Sequence, residues 1–281
     1  MRRAFSINIL WIIISFIMML IIISLTGLVN TEFNHYARWT PVLSNGYLLG
    51  TDGAGRDMLD VIIVSMRNNI LLGLITASVS LLFGCMLGIL LGYILNDGFI
   101  KSSLVFVARF TKSIPLLIWI FLVVFWIEIL GRTTTLFDIE MIKMSWVFSI
   151  FGGIYSFNVA LLLMGHIQKL KSSQFIEACE FIGLKKKTII FKHIIWHHSK
   201  SLLGSQASYI FAQCILLEIT LSFNKIGYGF SKSSLSLGSV FNRAVGEVPM
   251  TEHMFIPLIA ALILTTTFSY LSQSLEKRYQ R

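Results

Sequence analysis

Six apolar stretches of roughly membrane-spanning length, separated by short polar segments, leave few folds open to this chain. They run near 9–25, 70–95, 104–130, 145–164, 202–223 and 255–275. A helix needs about 20 apolar residues to cross the hydrocarbon core of a bilayer. In lipid every backbone N–H and C=O must also find a partner inside the structure, which selects helices over open sheets. The expected fold is an all-α integral membrane protein with six transmembrane helices. Composition agrees: 13% of residues are charged and mean hydropathy is +0.76, whereas a soluble domain carries about a quarter charged residues.

The formal charge of +9 could point to nucleic acid. The basic residues are instead dispersed between apolar spans, with no basic domain and no interleaved exposed aromatics, so no nucleic-acid partner is expected. Membrane topology accounts for them. Arg2 and Arg3 precede the first span, which is longer than a signal-peptide core and lacks a small-x-small cleavage site, so a retained span is expected. Lysines from Lys169 to Lys200 crowd one polar segment, and Lys277, Arg278 and Arg281 follow the last span. Lys and Arg favour the cytosolic side, so both termini and the 165–200 segment are expected there.

That segment is the most organised polar stretch. Ser172 or Ser173 can cap a helix, Glu177 and Glu180 suit its positive end, and Gly183 can supply a left-handed C-terminal cap. A second helix then starts at the lysines, with Ile189, Ile190, Ile194 and Ile195 on an apolar face. The result is a helix-turn-helix knob between two spans. It resembles the EAA loop of ABC-importer permeases: Glu177 and Ala178 match, Cys179 replaces the second Ala, Gly183 has the expected spacing, and Trp196 stands where a Pro is usual. The resemblance implies a coupling helix that docks on an ATPase subunit through Glu177, Ala178, Cys179, Gly183 and Leu184.

Three further stretches carry the likeness. Gly50-Thr51-Asp52 and Gly55-Arg56-Asp57 reproduce the Gly-Thr-Asp-x-x-Gly-Arg-Asp signature of the dipeptide/oligopeptide/nickel branch of these permeases. Physically this is a tight turn, with Asp52 or Thr51 opening a helix and Arg56 pairing with a nearby carboxylate. Glu218, in Glu218-Ile219-Thr220-Leu221-Ser222-Phe223, resembles a Glu-x-x-Leu-Ser-Phe run of the same branch. It is a candidate for the translocation pathway or a subunit interface, or else a structural carboxylate near the outer surface. Ser236-Leu237-Gly238 is similar to a Ser-Trp-Gly stretch in an outer, partly re-entrant loop spanning 224–253. Gly84, Gly88 and Gly92 lie four apart and suit close helix packing, with a pathway lining as the sharper alternative.

Other chemistries find little support. No G-x-x-x-x-G-K-[ST] phosphate loop, H-E-x-x-H or G-x-S-x-G is present, so ATP binding and these hydrolytic chemistries are not expected of this chain. Cys85, Cys179 and Cys214 lack metal or disulfide spacing. His193 and His197 are four apart beside His198, but the set reads as membrane-edge histidines, with no metal expected.

The domain organisation expected is 1–29 (cytosolic end and first span), 30–68 (extracellular segment with the Gly-Thr-Asp signature) and 69–281 (five-helix core containing the 165–200 loop). By resemblance the chain is the second permease of a binding-protein-dependent importer in a bacterial cytoplasmic membrane. The partners implied are a homologous permease, two ABC ATPase subunits, an extracellular substrate-binding protein and membrane lipid, with peptides or nickel chelates as cargo and no cofactor. An ion-coupled secondary transporter is the alternative.

Overall fold

The computed structural model describes residues 38–44, 46–133, 140–171, 174–223, 235–247 and 252–279. The first span, Ser172, Ser173 and half of the 224–253 loop therefore lie outside the described residues. Those described are almost wholly helical: α1 (Met58–Ile94), α2 (Phe99–Ser113), α3 (Leu116–Thr133), α4 (Glu140–Lys171), α5 (Gln174–Phe181), α6 (Lys186–Phe223), α7 (Leu237–Glu247) and α8 (Glu252–Tyr279). Among the described residues, four helical stretches are long and apolar enough to cross a membrane: Met58–Ile94, Met144–Lys171, Lys186–Phe223 and Glu252–Glu276.

α1 and α4 begin earlier than hydropathy alone suggests. α1 starts at Met58, not near Ile70, because Asp57 Oδ1 accepts the Leu59 N–H at 2.9 Å and caps the first turn. Arg67, Asn68 and Asn69 do not stop it, since both asparagines are buried with partners on other segments. α4 runs from Glu140 to Lys171 rather than 145–164, because polarity marks the edge of the apolar layer and not the end of a helix. The 104–130 stretch is not one helix but is broken at Pro115: α2 ends at Ser113, Ile114 is extended, as the residue before a proline prefers, and α3 begins at Leu116.

The chain forms two compact units. The first comprises residues up to Leu74, Glu128–Trp146 and Phe211–Ser269. Within it Phe211 stacks on Phe268 at 4.4 Å between ring centroids, and a Cβ on Gly73 would fall 2.6 Å from the Phe211 ring. The second comprises Ile75–Ile127, Val147–Ile210 and Tyr270–Arg281. Its centre is the seam between α1 and α4, where the four-spaced glycines do the packing. A Cβ on Gly84 would fall 2.6 Å from Val159 Cβ, on Gly88 2.9 Å from Leu163 Cβ, and on Gly92 3.0 Å from Ile167 Cβ. Helix packing, not a pathway lining, is what this stripe does.

Gly88→Val is accordingly expected to force the seam apart at a cost of about 1–3 kcal/mol, the usual range for overpacking. The measurement is the thermal unfolding midpoint of the purified chain in detergent, with Gly153→Ala as the control, because a Cβ there meets nothing within 4 Å.

Candidate functional site

The knob is built from the inside out. Ile176 and Cys179 on α5 are buried together with Leu163 and Ile167 of α4 and Ile189 and Ile194 of α6, while Cys85, Ile89, Tyr93 and Leu170 pack around them. One face of a two-turn helix is thereby anchored to three longer helices. At its end Gly183 adopts φ +79°, the Leu184 N–H donates to the Cys179 carbonyl at 3.2 Å, and the Ile182 N–H donates to Ala178 at 3.1 Å. The 6→1 bond and left-handed glycine are a Schellman cap. No side chain is near enough to demand glycine for space: a Cβ at 183 would meet nothing within 4 Å. Backbone conformation alone asks for it.

The opposite face is uncovered. Phe181 is 90% exposed and Ile182 78%, with Leu184 and Lys185–Lys187 exposed beside them. Ala178 is exposed, and Glu177 lies in the same helix. The anticipated serine cap lies outside the described residues. Beyond the turn, α6 is continuous through Trp196, which is exposed; with tryptophan in place of proline nothing breaks the helix. From Ile189 to Ser199 its hydrogen bonds are of the wider i→i+5 kind, which brings residues five apart onto one face. Hence Ile189, Ile194 and Ser199 are buried, whereas Ile190 and Ile195 are only half-buried. The apolar face expected from the sequence takes in all four isoleucines.

In the other unit, the Gly-Thr-Asp signature is a closed loop. Asp52 Oδ1 accepts the N–H groups of Ala54 and Arg56, both at 2.9 Å, and Oδ2 accepts Arg56 Nε at 2.8 Å and Nη2 at 2.5 Å. Both residues are buried, so the pair is fully enclosed and both carboxylate oxygens are occupied. The Asp52 N–H returns to the Arg56 carbonyl, and Gly55 N–H to the Asp52 carbonyl. Thr51 Oγ1 accepts the Thr40 N–H at 2.9 Å. Gly50 has φ +72°, and a Cβ there would lie 2.2 Å from the Thr40 carbonyl oxygen, which His253 Nε2 approaches at 3.0 Å. Arg56 pairs with a carboxylate as the sequence suggests, but Asp57, not Asp52 or Thr51, opens the helix. Asp52 instead organises the turn.

The same unit holds the Glu218 site. Its side chain is buried in α6, with the residue 1% exposed. Oε2 accepts Asn69 Nδ2 at 2.9 Å and the Gly238 N–H at 3.1 Å, Oε1 accepts Ser222 Oγ at 2.6 Å, and the Ser236 hydroxyl also donates. Three segments, α1, α6 and the start of α7, thus converge on one carboxylate. Ser236 and Ser239 cap α7 reciprocally through backbone N–H to side-chain oxygen bonds. Gly238 is required here: its Cβ would sit 2.7 Å from both Ile219 Cα and Ser222 Cβ. Asn242 Nδ2 donates to the Ser222 and Phe223 carbonyls at the end of α6. Asn69, Asn242 and His253 escape sequence reasoning. The Asn68-Asn69 pair inside an apolar helix was the available signal for the first.

The described residues contain no group of three or more His, Cys, Asp or Glu able to hold a metal ion. His193 and His197 lie with ring centroids 5.9 Å apart.

A buried carboxylate clamp and an exposed knob on an all-helical chain with several membrane-length helices describe a polytopic membrane component and not a reaction centre. Residues 84–281 match the family model of the binding-protein-dependent transport system inner membrane component, and the chain belongs to that family. It is similar to the oligopeptide transport system permease protein OppC of Lactococcus lactis (26% identity, covering 83% of this chain and 74% of that protein) and of Haemophilus influenzae (24%; 88% and 73%). It is also similar to the glutathione transport system permease protein GsiD of Pectobacterium atrosepticum (24%; 85% and 74%). The chain is a multi-pass permease subunit of an ABC importer in the cytoplasmic membrane, working in a complex with other subunits and not itself an enzyme.

Proposed function

We propose that this permease passes peptides inward across the membrane, driven by ATP hydrolysis in partner subunits that grip the 172–196 knob. Its relatives in oligopeptide and glutathione systems support peptide as cargo; nickel or another metal chelate is the second candidate. The proposed complex pairs this chain with a homologous permease, two ABC ATPase subunits and an extracellular substrate-binding protein. The proposed topology has six spans with both termini cytosolic. Residues 1–29 form the cytosolic end and first span, 30–68 the extracellular segment with Gly50, Thr51, Asp52, Gly55, Arg56 and Asp57, and 69–281 the core with the 165–200 coupling loop. Glu177, Ala178, Cys179, Gly183 and Leu184 form the coupling element.

The observation that carries this reading is the uncovered Phe181-Ile182 tip on a helix whose other face is anchored in the chain's own core. Apolar side chains held out by a rigid, capped turn suit insertion into a groove on another protein. Closure of the ATPases would pull on the knob and move the helices anchored to it, alternating the access of the pathway. The pull does work only if the knob binds differently in the two states.

The test is affinity purification of the tagged chain from its host in mild detergent, with mass spectrometry of its companions, beside Phe181→Asp. Losing a buried interface aromatic costs roughly 2–4 kcal/mol, so the ATPases are expected to be depleted from the variant by well over ten-fold while a companion permease stays. A wild-type chain that purifies alone and still transports in liposomes would overturn the proposal in favour of an ion-coupled carrier.

A further inference from the structure

A polar cavity of about 320 Å³ opens where α1 ends and α2 begins, beside the last turn of α4. Gly92 is in its wall, and Asn96, Asp97, Lys101, Gln168 and Lys171 present two ammonium groups, two amides and one carboxylate. Lys101 is drawn in: its side chain is 13% exposed and its ammonium meets Asp97 Oδ1 at 2.8 Å. Lys171 Nζ lies 5.6 Å from the Tyr93 ring centroid, steadied by a cation–π contact. The Asp97 carboxyl, held below its usual range by the Lys101 ammonium, is otherwise in water. The lining therefore carries one net positive charge.

What adjoins this charge is apolar. Phe99 is 87% exposed and flanks Lys101 with the exposed Ile100; Phe106, Val107 and Phe110 continue an uncovered stripe along α2, on a helix that also carries Arg109 and Lys112. A basic helix with one uncovered apolar face lies in the plane of the membrane interface. Basic pockets between helices at that depth suit lipid headgroups. We infer that the α1–α2–α4 cavity is a binding site for an anionic glycerophospholipid. Its phosphate lies between Lys101 and Lys171 with the Asn96 and Gln168 amides as donors, and its acyl chains lie along Phe99 and Ile100. The apolar flank decides between a lipid and a soluble phosphate, for which exposed phenylalanine has no use. A headgroup so placed ties the end of α1 to the end of α4, immediately before the knob. The inference stands apart from the coupling role proposed above.

The experiment titrates the full chain, purified in mild detergent with its companion subunits and stripped of lipid, with palmitoyl-oleoyl phosphatidylglycerol, palmitoyl-oleoyl phosphatidylethanolamine or inorganic phosphate. Native mass spectrometry counts lipid bound per chain, and size-exclusion elution checks that each variant is folded. Phosphatidylglycerol is expected to bind about five-fold more tightly than phosphatidylethanolamine; K171Q is expected to weaken it about five-fold, and K112Q, which removes the same charge from the α2 surface away from the cavity, to change it by less than about two-fold. Because Lys171 is exposed, its replacement leaves the packing intact. Equal binding of the two lipids, equal loss in K171Q and K112Q, or no loss in K171Q overturns the site. Displacement of the lipid by millimolar inorganic phosphate overturns the lipid assignment. None of these readouts depends on transport or ATP hydrolysis.

Discussion

Gly183→Asp is expected to abolish uptake while the chain still accumulates in the membrane and folds. At φ +79° most L side chains cost on the order of 1–2 kcal/mol, but aspartate, like asparagine, tolerates the left-handed region better, and no neighbouring atom within 4 Å adds a clash, so the chain itself loses little stability. A carboxylate next to the exposed Phe181-Ile182 tip is another matter if that tip is enclosed by a partner. Burying an unpaired charge there costs several kcal/mol, enough to reduce ATPase binding and transport by more than about 100-fold. Gly183→Asn separates the two effects, because asparagine tolerates the left-handed conformation and brings no charge. It should retain most activity. The checks are peptide uptake, ATPase co-purification and the unfolding midpoint of the three proteins. Normal transport by the aspartate variant would remove the knob from the coupling pathway.

The second large effect is expected at Glu218. Glu218→Ala strips the acceptor from Asn69, Ser222, Ser236 and the Gly238 N–H at once. Each buried donor left without a partner costs about 1–3 kcal/mol, so the variant should accumulate poorly and unfold many degrees lower. Glu218→Gln is expected to be mild. Its amide oxygen can take the place of Oε2 and keep Asn69 and Gly238, while its NH2 meets the Ser222 hydroxyl, which can turn to accept. Uptake by the glutamine variant should stay within a few-fold of wild type if the carboxylate is a clamp. A glutamine variant that folds and assembles normally yet cannot transport would show that the charge itself serves the pathway.

The helical class, four membrane-length helices among the described residues and the turn at Gly183 were legible in the sequence because each rests on local rules: apolar length, proline and glycine stereochemistry, capping residues. That Arg56 pairs with a nearby carboxylate was legible for the same reason, but not that the carboxylate is Asp52, a residue whose capping chemistry suggests a helix start instead. Helix ends were not. Arg67, Asn68 and Asn69 look like the edge of a span, yet α1 carries them, because two of the three find buried partners more than a hundred residues away. The joining of Glu218 to Gly238 was equally hidden, since a likeness between short stretches says nothing of which carboxylate they face. The face of α6 near the knob departs from a 3.6-residue pattern at Ile190 and Ile195 because the helix is wound more widely there.

That wide winding bears on more than burial. Each i→i+5 turn holds about one residue more than an α-turn, and one residue corresponds to about 100° around the axis. The stretch Ile189–Ser199 therefore offsets the angular phase of α6 relative to the turn that precedes it. Any tightening of those turns toward ordinary α-winding would emerge beyond Lys200 as a twist of the helix about its own axis. If the knob is gripped as proposed, a pull at its tip need not travel along α6 as a bend or a translation; the geometry also provides for torque.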